Sequence, residues 1–224
     1  MYQSRLVAIV LLVSLVLIAC NNYSSQLTPT ITAKTIMQGK DVNYFRPKVA
    51  NYLPLYIGKN MRRIDLVSNF KLDTNSTIVH GLNIICNLTN QQLKIFVDTS
   101  QILDSPITDI HFTKSGKIEE VNAISYPVIL KNLTNENIKI GFCEEIYLEM
   151  EVYLQGKWSG IERAGRFYND VCVKSLALPA NQIALTTVPI YSGEIGCPAR
   201  LKLGNIYSNI FSTNINTEQI FTYK

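Results

Sequence analysis

The chain has 224 residues, a formal charge of +4, and 47% hydrophobic against 17% charged side chains. That length accommodates one sandwich-sized unit or two small ones. The charge is mild and no basic tract is interleaved with aromatics, which argues against a nucleic-acid partner, and no cofactor is expected.

The first element is apolar. Met1 to Arg5 carries the amino terminus and one basic side chain, and Leu6 to Ala19 follows with only Ser14 interrupting it. As a helix this run would span about 21 Å at ~1.5 Å per residue, short of the ~30 Å hydrocarbon core of a bilayer. A short basic region, an apolar stretch and a small residue are the plan of a secretory signal peptide, here residues 1–19. The run closes on Leu17-Ile18-Ala19-Cys20, where an ordinary signal would carry a small-x-small cleavage site.

These four residues resemble the lipobox of bacterial lipoproteins. The resemblance implies that the Cys20 sulfur receives a diacylglyceryl group and that the chain is cut before Cys20. It also implies that the freed amine takes a fatty acid such as palmitate, so that the partner of acylated Cys20 is a lipid membrane. Asn21 stands where an aspartate would imply inner-membrane retention, so the implied address is the outer membrane. Asn22 to Ser25 lacks the acidic run of some surface-exported lipoproteins, which favours a periplasmic orientation. Without residues 1–19 the chain keeps twenty basic and seventeen acidic side chains, a formal charge of +3. Residues 20–40 are rich in Asn, Ser, Thr and Gln and read as a tether with a reach on the order of 25 Å.

The body reads as strands. NLTNQQLKI at 87–95 and NLTNENIKI at 132–140 echo each other, each after an apolar run, and both read as strand–turn–strand units. Their N-x-T sequons at Asn87 and Asn132 read as turn chemistry rather than glycan sites. Ile107 to Ile118 reads as a hairpin around Lys114-Ser115-Gly116. In Glu145 to Gln155 the residues Ile146, Leu148, Met150, Val152 and Leu154 alternate with Glu145, Tyr147, Glu149, Glu151 and Tyr153, the period of a half-buried strand. Gly156-Lys157 turns the chain into Trp158. Ile183 to Tyr191 is a β-branched run entered through Pro179-Ala180-Asn181, and Ala199 to Leu203 forms a hairpin with Ile206 to Ser208 across Gly204-Asn205. Helix is limited to a turn near Thr217 to Ile220.

From about Asn122 the order YPVILKNLTNENIKI, GKW followed by IE, LPANQI, RLKL and IYSN resembles immunoglobulin-like domains of uncharacterised bacterial lipoproteins. The resemblance covers roughly the last hundred residues, implies a sandwich fold and carries no catalytic residues. The expected fold class is therefore all-β, with an immunoglobulin-like antiparallel β-sandwich over 121–224. The span 41–120 is either a smaller β unit before it or a hairpin contribution to the same sandwich.

Four candidate site groups emerge. Cys86, Cys143, Cys172 and Cys197 form an even set in an exported chain, which argues for disulfides; no CxxC spacing or nearby histidine suggests zinc. An up-and-down order of consecutive strands would bring Cys143, Cys172 and Cys197 to one end, predicting one disulfide within that trio with the pair left open. Glu149 and Glu151 lie about 7 Å apart on one strand face, within the carboxylate spacing of glycoside hydrolases, although such a face is usually just solvated. His80 and His111 sit in no nucleophile context, so no enzyme activity is expected. Ser159 to Asp170 reads as a long loop whose Arg163, Arg166, Phe167 and Tyr168 are candidate binding residues, aromatic and Arg side chains being enriched at contact hot spots. These readings converge on an envelope lipoprotein that binds or scaffolds. A protein partner (as in an inhibitor of an envelope hydrolase) and a glycan partner both remain open.

Overall fold

A computed structural model of the chain describes residues 28–33, 48–49, 52–66, 78–79, 87–109, 119–163 and 174–220. No α-helix occurs among the described residues, and none is long and apolar enough to cross a membrane. In chain order the first strands are β1 (Thr30–Ala33), β2 (Lys48–Val49), β3 (Tyr56–Gly58), β4 (Arg63–Leu66), β5 (Ile78–Val79) and β6 (Leu93–Val97). Then come β7 (Leu103–Asp109), β8 (Glu119–Asn132), β9 (Ile138–Phe142), β10 (Glu145–Ile146), β11 (Glu149–Leu154) and β12 (Lys157–Gly160). The last are β13 (Glu162–Arg163), β14 (Ser175–Leu178), β15 (Ile183–Pro189), β16 (Ile195–Leu203), β17 (Ile206–Tyr207) and β18 (Phe211–Ile215), followed by a 3-10 turn at Thr217–Gln219.

The protein is an all-β sandwich. Its central sheet runs β3-β15-β8-β6, with β7 also on β8. The long β8 meets β15 from Ser125 to Lys131 along one edge, while its other edge takes β7 in its first half and β6 in its last. A second sheet runs β12-β11-β16-β17 with β18 also on β16, and a third runs β10-β9-β14-β5. Two parallel pairs, β1 with β4 and β13 with β2, complete the pairing.

The sequence of β8 explains why its sheet lies in the middle. Val128, Ile129 and Leu130 are consecutive and all buried, whereas a strand with one wet face would alternate. Val128 and Leu130 join Ala184 and Val188 of β15 and Met150, Val152 and Leu201 of the second sheet in the main core. Ile129, on the opposite face, joins Ile183 and Leu185 of β15 with Ile31 of β1 and Ile64 and Leu66 of β4. Each such buried aliphatic contributes roughly 1.5–3 kcal/mol, so the N-terminal strand pair covers a face that would otherwise expose a contiguous apolar surface.

Three sequence expectations are refined. The spans 41–120 and 121–224 share one sheet and one core: Leu93, Ile95 and Val97 of β6 pack with the later strands, in register with β8. The span 20–40 contains a strand, β1, bound to β4. The run from Glu145 to Gln155 is two strands in different sheets, β10 on β9 and β11 between β12 and β16. The hairpin ladder of β7 and β8 is as expected up to Asp109 and Glu119, and its tip at Lys114-Ser115-Gly116 lies outside the described residues. The β11–β12 turn is Gln155-Gly156, both with positive φ (52° and 81°), the backbone of a two-residue turn suited to strand twist.

Candidate functional site

The outer face of the second sheet gathers the exposed aromatic and charged side chains. Alternation along β11 buries Met150 and Val152 and turns Glu149, Glu151 and Tyr153 outward. Directly opposite residues of antiparallel strands share a face. The register therefore sets Glu149 beside Lys202, Glu151 beside Arg200, Tyr153 beside Trp158, and Lys202 beside Tyr207. Four strands about 4.8 Å apart make this face roughly 14 Å wide.

Arg200 is its centre. Its Nε and Nη2 both donate to Glu151 Oε2, at 2.9 and 2.7 Å, and Lys202 Nζ lies 3.5 Å from Glu151 Oε1. The guanidinium carbon stands 4.1 Å from the Trp158 ring centre and 3.8 Å from that of Tyr207, so the cation is held between two rings. Tyr153 continues the row, 5.3 Å from Trp158 by ring centres. Cation–π contacts are worth about 0.5–2 kcal/mol each and stiffen the row. Arg200 and Glu151 keep only 20% and 15% of their side-chain surface, whereas Tyr153 and Tyr207 are 42% and 40% exposed. Rigid rings with open edges flanking a fixed ion pair suit contact with another surface, because little rotamer freedom is left to lose on binding.

Beneath this face lies a buried polar knot. Glu162 accepts hydrogen bonds from the Tyr52 hydroxyl at 2.6 Å, the Tyr191 hydroxyl at 2.7 Å and the Met150 N–H at 3.1 Å. All three side chains are almost fully buried: Tyr52, Tyr191 and Glu162. Burial, then the neighbouring charge of Glu162, holds the Tyr52 phenol well above its ordinary range. The knot ties Tyr52, which bridges Ile146 of β10, to β13 and to the segment following β15.

Of the residues singled out in the sequence, Glu149 and Glu151 do share the outer face. Glu151 is committed to Arg200 and Lys202, and burial pushes the Glu149 carboxyl up against the opposing pull of Lys202. Arg163 belongs to β13, paired with Val49, so the expected loop from Ser159 contains the end of β12 at Gly160 and, after a bend at Ile161, the short strand β13. Arg166, Phe167 and Tyr168 lie outside the described residues, as do Cys20, Cys86, Cys172, His80 and His111. Cys197 is a free, buried thiol on β16, pushed up by burial. The up-and-down strand order is corrected: β11 and β16 are antiparallel neighbours with Val152 opposite Ala199, which sets Cys197 at the end of β11 remote from Cys143. Asn132 is buried and its side chain is fully used. Its amide donates to the carbonyls of Glu136, Leu178 and Pro179, and its oxygen accepts from the Thr134 amide and hydroxyl. Among the described residues no cluster of three or more His, Cys, Asp or Glu could hold a metal ion.

Sequence reasoning misses the Tyr153–Trp158–Arg200–Tyr207 row because its members are spread over four strands. The available signal is the outward parity of Glu151 and Tyr153 and of Arg200 and Lys202, which needs the strand pairing to be read as one surface. Comparison with known proteins finds no matching family model, no matching curated protein and no matching solved structure.

Proposed function

We propose that the chain is a lipid-anchored lipoprotein of the outer membrane, facing the periplasm, that acts by binding and not by catalysis. The Leu17-Ile18-Ala19-Cys20 motif after a short apolar run supports the anchor. The observation that carries the binding role is Arg200 clasped between Trp158 and Tyr207 on an exposed sheet face. Trp, Tyr and Arg are the residues most enriched at interface hot spots. A protein partner, such as an envelope hydrolase held inhibited, uses such a face through its own aromatic and charged side chains. A glycan is the second reading, favoured by the open edges of Tyr153 and Tyr207.

Two measurements test this. Fatty-acid labelling in cells should mark the wild type and not a Cys20→Ser variant; a labelled variant would refute the anchor. Crosslinking in the native envelope should capture a protein that the Tyr153→Ala/Tyr207→Ala double variant loses, whereas retention on polysaccharide matrices, lost in the same variant, would select the glycan. If neither the crosslinked species nor the retention responds to the double variant, this face is not the contact surface.

A further inference from the structure

The chain enters the fold beside a basic turn. Strand β1 pairs in parallel with β4, Thr30 opposite Arg63, so the first residues of both strands lie at the same end. The Thr30 N–H donates to the Arg62 carbonyl at 2.9 Å. Just before it, Pro29 is clamped: its carbonyl accepts from Gln101 Nε2 at 3.1 Å, and Gln101 Oε1 accepts from the Ile31 N–H at 2.8 Å. The same Gln101 amide donates to the buried Asp98 at 2.6 Å. No slack therefore remains from Pro29 onward. Thr28 lies only eight residues after Cys20, and eight residues span at most about 28 Å even when fully extended.

The turn between β3 and β4 occupies that entry point. Lys59, Asn60, Met61, Arg62 and Arg63 are all exposed, with Met61 at 46%. The Tyr56 hydroxyl donates to the Lys59 carbonyl at 2.8 Å, which holds the turn's shape. Arg63 is paired with Asp65 at 2.8 Å, leaving Lys59 and Arg62 without a carboxylate partner among the described residues. Two uncompensated cations around an exposed thioether side chain, at the end of the fold nearest the lipidated cysteine, match an anionic bilayer surface. The cations meet phosphates, and the flexible apolar Met61 enters the headgroup region.

We propose that the Lys59–Arg63 turn docks on anionic phospholipid headgroups and so fixes which end of the sandwich faces the membrane. The proposal rests on the reading of Cys20 as the anchor. The acyl chains hold the protein on the bilayer, and the turn sets its orientation, leaving the outer face of the second sheet to be presented to a partner. Each basic residue near an anionic surface shifts the docked population about fivefold, an effect that salt screens.

The test uses the full chain purified from the envelope and reconstituted into vesicles of phosphatidylcholine alone or of phosphatidylcholine with phosphatidylglycerol. Hydroxyl-radical footprinting then reads the oxidation of Met61, with buried Met150 and exposed Tyr207 as references. Met61 oxidation should fall about fivefold or more on the phosphatidylglycerol vesicles, recover in high salt, and lose its lipid dependence in the Lys59→Gln/Arg62→Gln variant. Equal Met61 oxidation on both vesicles, in protein whose mass shows the Cys20 lipid, would overturn the docking turn while leaving the anchor intact. If the mass shows no lipid and Met61 is still protected on anionic vesicles, the anchor reading fails and the docking turn stands. If the lipid and the protection are both absent, both fail.

Discussion

Glu162 shows how much one side chain can organise. Its carboxylate takes three hydrogen bonds from buried donors, two of them the hydroxyls of Tyr52 and Tyr191. Leaving a buried donor unsatisfied costs about 1–3 kcal/mol, so Glu162→Ala is expected to destabilise by about 3 kcal/mol or more, read as a fall in urea midpoint at unchanged slope. Glu162→Gln, which keeps volume and one acceptor, should cost less. The same knot sets an alkaline limit. Because the folded Tyr52 phenol titrates well above its ordinary value, folded protein retains a proton that unfolded protein releases near pH 10. Its contribution is therefore complete below pH 10 and declines above it, by at most about 1.4 kcal/mol per pH unit. Tyr52→Phe should flatten the stability-versus-pH curve above pH 10 by one proton; an unchanged slope would mean that Tyr52 is not held protonated. None of this is legible in the sequence, since Tyr52 and Glu162 are 110 positions apart and no local period links them.

Among the elements, the alternating run from Glu145 to Gln155 reads correctly for the buried residues Ile146 to Val152, but Tyr147 of the opposite set also packs on the core, and the run is not one strand. Ile146, Leu148, Met150 and Val152 are all buried, yet the chain leaves one sheet after Ile146 and joins another at Glu149. A period of two survives an extended crossover between sheets, so parity alone cannot locate the break. The pairing partners can, and they lie far along the chain. Turn chemistry is more legible: the Gly204-Asn205 link closes the hairpin expected of it, whereas the β11–β12 turn is Gln155-Gly156, one residue before the expected Gly156-Lys157, which places Lys157 in the strand. Two glycines separate the physical reasons for that residue. At Gly156 the obstacle to a side chain is conformational, with φ at +81° and open space around the missing Cβ. At Gly141 it is steric, for a Cβ would sit 1.8 Å from the Glu145 carbonyl oxygen across the β9–β10 ladder. Gly156→Ala should accordingly cost about 1–2 kcal/mol. Gly141→Ala should reach or exceed the upper end of the usual range of about 1–3 kcal/mol for overpacking, because backbone must move. Denaturant midpoints of the two variants compare them directly, and equal losses would refute the distinction.

At the scale of the whole molecule, the all-β sandwich is readable from alternation and turns, whereas the layering is not. Strands β1 and β4 carry no distinctive pattern in sequence, but they cover the second face of the β8–β15 sheet and make it central, while β3 extends that sheet beyond β15. The same long-range pairing decides the cysteines. With Cys197 buried and free, and remote from Cys143 along the β11–β16 ladder, the trio expected to share one disulfide reduces to Cys143 and Cys172. Cys143 is not among the free thiols of the described residues. It sits at a turn with φ at +51°, and its N–H donates to the Lys174 carbonyl at 2.9 Å. Cys172 is two residues before Lys174, a separation that chain geometry limits to about 7 Å, so the Cα distance a disulfide needs is within reach. We therefore expect a Cys143–Cys172 bridge, which on the chain-entropy estimate would stabilise by roughly 3–4 kcal/mol. Peptide mapping of the non-reduced protein purified from its native cells should recover those two peptides joined, with Cys197 alkylated only after denaturation. Recovery of Cys143 joined to Cys86, or of Cys143 as a free thiol, would refute the pairing. Rapid alkylation of native Cys197 would contradict its burial in the main core.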